Sequence, residues 1–276
     1  YTEEIRQKKN IALSAPCNGE CDSILSDLLN NYEKRGTRFG PALAFLDQFG
    51  YSAVSMRLVG RLLAFPQCEV FSYLDYKDMN RWITDPSKAV SFDRTWGGDE
   101  WRHAIDLPEA ERRAFLLDSY KAALKSRAKA TYVSSFSMFD GHDRPLYWLI
   151  FSTNNLRGLE EMKRAMWSVD KMGSFKFSDN DTPGQLSLLN HGYDQNWLAD
   201  ELSSAFAGQT VTVAEVKEHV LVSTPCYLFR EALKILETGR DPVVRVKNAP
   251  ASRRPGTYPE EHLANIVVRF REAKLF

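Results

Sequence analysis

An acidic tip that follows a short apolar run is the first place where this sequence could do chemistry. Six apolar residues extend from Pro41 to Leu46, and Asp47, Gln48 and Phe49 follow directly. A run of this length is too short for a core helix and predicts a central parallel strand that is covered on both faces. Ligands of open α/β sheets bind beyond the carboxyl ends of the strands, so we expect a ligand or substrate at Asp47 and Phe49. The alternatives are a capping or buried acceptor role for the carboxylate and loop packing for the ring.

A second strand end adds two candidates to the same crevice. Residues 69–74 alternate as a strand does and are followed by Asp75 and Tyr76. Predicted helices over 22–32 and 54–63 separate three predicted strands, the first at 11–14, and this alternation is typical of a parallel α/β sheet. Neighbouring parallel strands end at the same edge, so Asp75 and Tyr76 are expected to contact substrate or cofactor there.

The middle of the chain predicts elements that cover and close this sheet. Residues 77–102 predict a short helix and then a surface insertion or lid, with Trp96 and Trp101 in packing roles. A helix over 108–129, a hairpin of strands 131–139 and 146–153, and a helix over 158–171 follow. Residues 1–172 therefore predict a mostly parallel, Rossmann-like α/β domain.

The last third of the chain predicts a separate domain. Residues 173–192 are rich in Asp, Asn, Ser and Gly and predict a linker. Residues 193–276 then predict three helices, the second opened by a Thr212–Glu215 capping box and the third by Pro225, followed by two strands around a basic loop. This layout is typical of a winged helix-turn-helix domain.

The basic loop is the candidate contact for nucleic acid. It contains Arg245, Lys247, Arg253 and Arg254 without any acidic residue, and it ends at Tyr258. Lysine and arginine side chains can follow a phosphate backbone, and the tyrosine ring could stack on a base. The alternatives are a solvated hairpin and a surface that binds protein.

Composition and spacing exclude several other classes. The 36 basic and 36 acidic residues cancel, so no global field directs the protein to nucleic acid or membrane. Cys17 and Cys21 lack a second pair at zinc-site spacing, and the histidines are too dispersed to indicate a metal. No apolar run reaches membrane-spanning length and no signal peptide is visible, so a cytoplasmic location is expected. The opening at Tyr1 predicts that the chain begins within a longer protein.

Several separated stretches resemble the three-Cys-motif partner proteins, a bacterial family of class I S-adenosylmethionine methyltransferase-like proteins. Residues 45–50 read F-L-D-Q-F-G where the family has F-L-D-P-F-G. Residues 147–153 with 158–166, and R-R-P-G-T-Y at 253–258, are similar to the family in the same order. The similarity covers most of residues 10–270. An antiparallel hairpin closing the sheet is common in methyltransferase-like domains.

The resemblance implies roles for three residues. In related N6-adenine methyltransferases, an acidic residue at this motif accepts a hydrogen bond from the base amino group, and a ring stacks on the base. Asp47 would be the acceptor and Phe49 the ring, while Gln48 stands where the family has proline and would present a backbone carbonyl to the second amino hydrogen.

The resemblance also implies S-adenosylmethionine as cofactor and a three-cysteine-motif protein of radical S-adenosylmethionine type as partner. The family's glycine-rich first motif does not occur between residues 1 and 38, so its cofactor contacts are expected upstream of Tyr1. The sequence thus predicts a methyltransferase-like protein acting on RNA or DNA. The alternative is a non-catalytic scaffold whose winged helix binds nucleic acid or a partner protein.

Overall fold

The computed structural model describes residues 16–37, 39–47, 54–142, 144–170, 176–178 and 193–272. Helices and strands alternate through the first part of the chain and again near its end. The helices are α1 (Cys21–Arg35), α2 (Met56–Leu63), α3 (Tyr76–Trp82), α4 (Ala89–Trp96), α5 (Glu109–Ser126), α6 (Leu156–Val169), α7 (Gln195–Ala205), α8 (Val213–Ser223) and α9 (Phe229–Thr238). The strands are β1 (Ala42–Asp47), β2 (Cys68–Leu74), β3 (Tyr132–Phe139), β4 (Pro145–Thr153), β5 (Lys176–Ser178), β6 (Thr210–Thr212), β7 (Val244–Lys247) and β8 (Val267–Phe270). None of the helices in these ranges is long and apolar enough to cross a membrane.

The larger sheet is mixed rather than mostly parallel. Its strand order is β1-β2-β4-β3-β5. The β1/β2 and β3/β5 pairs are parallel, whereas β4 runs antiparallel to both of its neighbours. The predicted α/β class is therefore confirmed, and the predicted predominance of parallel pairing is corrected, because the 131–153 hairpin inserts its second strand into the middle of the sheet. The predicted strand at 11–14 lies outside the described residues.

Strand β1 differs from the central, doubly covered strand that its apolar run predicts. Among the described residues it pairs only with β2, at one edge of the sheet. Ala42, Ala44 and Leu46 face the core, while Leu43 and Phe45 are each 58% exposed. The apolar run is continuous because both faces carry apolar side chains, but only one face of this strand is covered.

The two faces of the sheet are covered by different helices. On one face, Val70, Leu74 and Ile150 belong to a core that is completed by α2, α3, α4 and α5. On the other face, α6 packs Met166 against Phe151 and other residues of β3 and β4. Helix α6 covers the β3 and β4 side of that face, and no helix of the described residues covers its β1 side.

The segment predicted as a surface insertion or lid is part of the core. Trp96 and Trp101 are buried, and each indole N–H donates a hydrogen bond, to Ser119 Oγ at 2.9 Å and to Asp93 Oδ1 at 2.8 Å respectively. The Phe92 ring stacks on Trp101 with centroids 4.6 Å apart. The packing role predicted for both tryptophans is confirmed, and burial of these large rings anchors the whole segment.

The predicted linker contains a strand of the larger sheet. Residues 176–178 form β5, which pairs in parallel with residues 137–139 of β3. The polar composition of 173–192 indicated a loop, but a short edge strand needs only backbone groups to extend a sheet. The rest of this segment lies outside the described residues.

Residues 193–272, hereafter the C-terminal unit, contain three helices and a three-stranded antiparallel sheet. The sheet order is β6-β8-β7, so β6 adds a strand to the two predicted. The predicted Thr212–Glu215 capping box is confirmed, with Thr212 Oγ1 accepting from the Glu215 backbone N–H at 3.2 Å. The third helix begins at Phe229 instead of Pro225, because Thr224 Oγ1 accepts the Cys226 N–H and holds these residues in a turn.

A buried ion pair joins the larger sheet to the C-terminal unit. Lys217 of α8 lies 2.7 Å from Glu160 of α6, and both side chains are only 7% exposed. The same ammonium also pairs at 2.6 Å with Glu260, which in turn contacts Arg230. Nearby, the Lys163 ammonium donates to the backbone oxygen of Thr224 at the end of α8. Charged groups removed from water in this way require their partners.

We expect Glu160→Gln to lower the free energy of unfolding by about 3 kcal/mol, because the Lys217 ammonium would remain buried without its buried carboxylate. Urea denaturation followed by circular dichroism measures the change. The neighbouring Glu161→Gln is the matched control, since this side chain is 55% exposed and an exposed pair contributes less than about 1 kcal/mol. Equal losses in the two variants would contradict a structural role for the buried pair.

Candidate functional site

The carboxyl ends of β1 and β2 bring together the two acidic candidates predicted from the sequence. Asp47 is the exposed last residue of β1, and the parallel register places it beside Tyr73. Asp75 directly follows β2, and its carboxylate accepts the Asp78 N–H at 2.9 Å and the Tyr73 hydroxyl at 3.2 Å. Asp75 is therefore the N-cap of α3, whereas Asp47 presents its carboxylate to solvent.

The pKa of the Tyr73 hydroxyl is shifted by burial and by the negative charge at this edge of the sheet. Burial raises its pKa above the ordinary tyrosine value, and the Asp75 and Asp47 carboxylates raise it further. The phenol consequently stays protonated and remains a hydrogen-bond donor across the physiological pH range. The site therefore offers an acceptor at Asp47, while the Tyr73 hydroxyl donates its hydrogen bond to Asp75.

Aromatic rings lie on the same sheet face as the Asp47 carboxylate. Phe45 precedes Asp47 by two residues and shares its face, with its ring centroid 5.6 Å from that of Phe71. The Tyr73 and Tyr147 rings are 4.6 Å apart. We define Phe45, Phe71, Tyr73 and Tyr147 as the aromatic face. The sequence analysis missed these residues, although the period-two alternation of a strand would have placed Phe45 and Asp47 together.

Of the remaining candidates of the crevice, the structure describes only Tyr76. Gln48 and Phe49 lie outside the described residues. Tyr76 is 2% exposed, its ring centroid lies 5.1 Å from that of Trp148, and its hydroxyl donates to the backbone oxygen of Glu109. The first turn of α3 directs this side chain into the core on the opposite side of the sheet, so it is not presented to a ligand.

Two residues predicted to hold nucleic acid are instead packed inside the C-terminal unit. The Arg253 guanidinium forms two hydrogen bonds to Glu237, at 2.9 and 2.5 Å, and its side chain is only 7% exposed. The buried Tyr258 hydroxyl donates to the same carboxylate at 2.7 Å. Burial alone would raise the pKa of Glu237, but the hydrogen bonds from Arg253, Tyr258 and Gly256 hold it below its usual value. This cluster fixes the basic loop against α9.

The other basic residues remain exposed, and Arg245 and Lys247 share a sheet face with Arg269, which was not among the candidates predicted from the sequence. Arg245 of β7 lies directly opposite Arg269 of β8, and the side chains of Lys247 and Arg254 are also exposed. Arg269 donates to Thr210 Oγ1 at 3.2 Å. We define Arg245, Lys247 and Arg269 as the basic face. Alternation in Val268-Arg269-Phe270 could have indicated that Arg269 points outward.

Like charges that face each other across a pair of strands are unfavourable. Within the described ranges, no ion pair involves any residue of the basic face. An anion along this face would relieve the repulsion between Arg245 and Arg269. The basic face therefore fits a phosphate backbone better than Arg253 and Tyr258 do.

No group of histidine, cysteine and carboxylate side chains within the described residues could hold a metal ion. Comparison of the chain with protein-family models, with curated proteins and with solved structures finds no match. The function must therefore be argued from the site itself.

We expect Arg253→Gln to lower the free energy of unfolding by about 3 kcal/mol, since the Glu237 carboxylate would lose its charged partner in a largely buried position. The adjacent Arg254→Gln is the control, because the exposed Arg254 side chain makes no such pair, and its change should be within about 0.5 kcal/mol. Thermal and urea denaturation measure both. A larger loss for Arg254→Gln would refute the structural assignment of Arg253.

Proposed function

We propose that this chain carries the substrate side of a methyltransferase-like protein that modifies a base amino group of RNA or DNA, by chemistry of the adenine N6 type. The observation that carries the proposal is the exposed Asp47 carboxylate at a strand end, beside the aromatic face. A carboxylate at this position can accept a hydrogen bond from an amino group, and an aromatic surface can support the base.

The arrangement of the strands supports a Rossmann-like interpretation of the larger sheet. Helix α2 connects the parallel strands β1 and β2, and β4 enters the sheet in the opposite direction. The C-terminal unit has the element order α7-β6-α8-α9-β7-β8, which supports a winged-helix interpretation. In this proposal the crevice receives the base while the basic face holds the phosphates of the same polymer.

Phe45 is the most accessible ring beside the carboxylate. It is 58% exposed and is supported from below by Phe71. Phe49 keeps the stacking role that the resemblance implies, and Phe45 offers a second surface two residues before Asp47. Stacking on an aromatic side chain contributes roughly 1–3 kcal/mol per base, so either ring could position the base.

Two described glycines, Gly98 and Gly158, do not provide the exposed backbone that S-adenosylmethionine would need. A cofactor of this kind needs backbone exposed by glycine, but a Cβ atom at Gly98 or Gly158 would lie 2.5 Å from the Arg127 side chain or 1.7 Å from that of Glu69. These glycines admit the protein's own side chains instead of leaving a cradle. We therefore place the cofactor contacts outside the described residues and derive no transfer step.

The second candidate is a non-catalytic scaffold, and the close side-chain packing at the described Gly98 and Gly158 is the observation that favours it. In this alternative the crevice and the basic face bind nucleic acid without modifying it, or the chain joins a three-cysteine-motif partner protein. The two candidates differ in whether the protein binds S-adenosylmethionine and whether the Asp47 carboxylate is required for product formation.

We expect Asp47→Asn to reduce methyl transfer by roughly 100-fold, because the amide accepts a hydrogen bond from the base more weakly and carries no charge. Transfer is measured with radiolabelled S-adenosylmethionine and mixed RNA and DNA, alongside calorimetry of cofactor binding. Asp118→Asn, an exposed carboxylate on α5, is the matched control and should retain activity. The assay uses the full-length protein, and if it neither binds the cofactor nor transfers a methyl group, the scaffold candidate replaces the enzyme.

We expect the triple variant Arg245→Gln/Lys247→Gln/Arg269→Gln to weaken nucleic-acid binding. The plot of log affinity against log salt concentration should become less steep, by up to about 3 in the magnitude of its slope, because each phosphate contact that is lost reduces the counterions released on binding by roughly one. Fluorescence anisotropy with a labelled oligonucleotide over a salt series measures the slope. A triple variant of the exposed Lys34, Arg35 and Lys77 removes the same charge elsewhere. Equal slopes for the two triple variants would exclude the basic face as the binding surface.

A further inference from the structure

A cavity of about 250 Å³ lies where the larger sheet meets the C-terminal unit. Its walls are the last part of α5, the start of β3, the middle of α6 and the end of α8. None of its lining residues belongs to the crevice, the aromatic face or the basic face. We call it the junction pocket.

The junction pocket is lined by positive charge. Lys121 and Lys125 of α5 and Lys163 of α6 all line it, and none of its lining residues is a carboxylate. Among the described residues, Lys121 pairs only with Asp118, at 4.0 Å, and the Asp118 side chain is 76% exposed, so this contact competes weakly with a ligand. Three lysines and no acidic residue among the residues that line the pocket favour an anionic occupant.

Lys163 lies deep in the pocket and is 4% exposed. Its ammonium donates to the backbone oxygens of Thr224 and Cys226, which follow α8. Burial lowers the pKa of this amine to about 8. Desolvation of the charged form is the cause, and an anion beside it would offset that cost.

Hydroxyl groups complete the lining. Ser135 of β3 and Ser223 at the end of α8 line the pocket beside the three lysines. Hydroxyls donate hydrogen bonds to oxyanions, and ammonium groups add charge-assisted ones. A tetrahedral group with several acceptor oxygens uses such a mixed set of donors better than a single carboxylate can.

We propose that the junction pocket binds the phosphate group of a small phosphate monoester. The lysines of α5 and α6 would bind the phosphate oxygens while the hydroxyls of β3 and α8 complete the contacts. Because its walls come from the larger sheet and from the C-terminal unit, an occupant would join the two by contacts additional to the Glu160–Lys217 pair. The pocket volume limits the occupant to a small molecule.

The test is calorimetry of the full chain with inorganic phosphate and with adenosine monophosphate, at constant ionic strength maintained with chloride. We expect dissociation constants in the millimolar range or tighter. The double variant Lys121→Gln/Lys125→Gln should weaken binding about tenfold or more through the loss of charge-assisted bonds. Lys34→Gln/Lys77→Gln is the control with the same change in net charge and should bind as the wild type does.

Lys163→Met tests whether the buried Lys163 amine contributes to phosphate binding, and circular dichroism checks that this variant folds. If this variant does not fold, the α5 double variant alone decides the question. Absence of wild-type binding, or an equal loss in the control variant, would overturn the proposal. The result is independent of the proposed methyl transfer, since neither probe involves S-adenosylmethionine and none of the substituted residues lies in the crevice.

Discussion

The buried pair between Glu160 and Lys217 is the interaction on which the arrangement of this protein depends. One charge belongs to the helix that covers the larger sheet, and the other belongs to the second helix of the C-terminal unit. Burying either charge against an apolar surface would lower the stability of the fold, so each side chain needs an oppositely charged partner. Arg230 lies 3.9 Å from the same carboxylate and extends this network toward α9. Charge pairing thus supplies specificity where two apolar cores meet.

The contact between α6 and α8 affects which surfaces stay exposed. Helix α6 packs on β3 and β4 on one side and on α8 on the other, and no helix of the described residues covers this face at β1. The exposed Phe45 ring and the Asp47 carboxylate lie there. The junction pocket lies beside the same contact, where Lys163 of α6 donates to the backbone oxygen of Thr224 at the end of α8. The crevice beside the aromatic face and the junction pocket therefore both depend on where α6 lies.

The C-terminal unit divides its basic residues by structural role. Arg253 neutralises the buried Glu237 and cannot bind a phosphate without breaking that pair. Arg245 and Arg269, in contrast, repel each other across adjacent strands. An arginine that is already paired stabilises the fold, whereas opposed arginines are available to an anion. The loop prediction grouped these basic residues, and the tertiary structure separated them, even the adjacent Arg253 and Arg254.

Local patterns alone determined most of the elements of this protein. Periodicity located the helices and strands, the Thr212–Glu215 spacing identified a capping box, and the strand ends placed Asp47 and Asp75 at one edge, because these features depend on neighbours within a few residues. Only the tertiary structure decided that β1 lies at an edge among the described strands, that β4 enters the sheet in reverse, and that Tyr76, Arg253 and Tyr258 are buried. Those outcomes depend on contacts between residues distant in the chain, which no local pattern encodes.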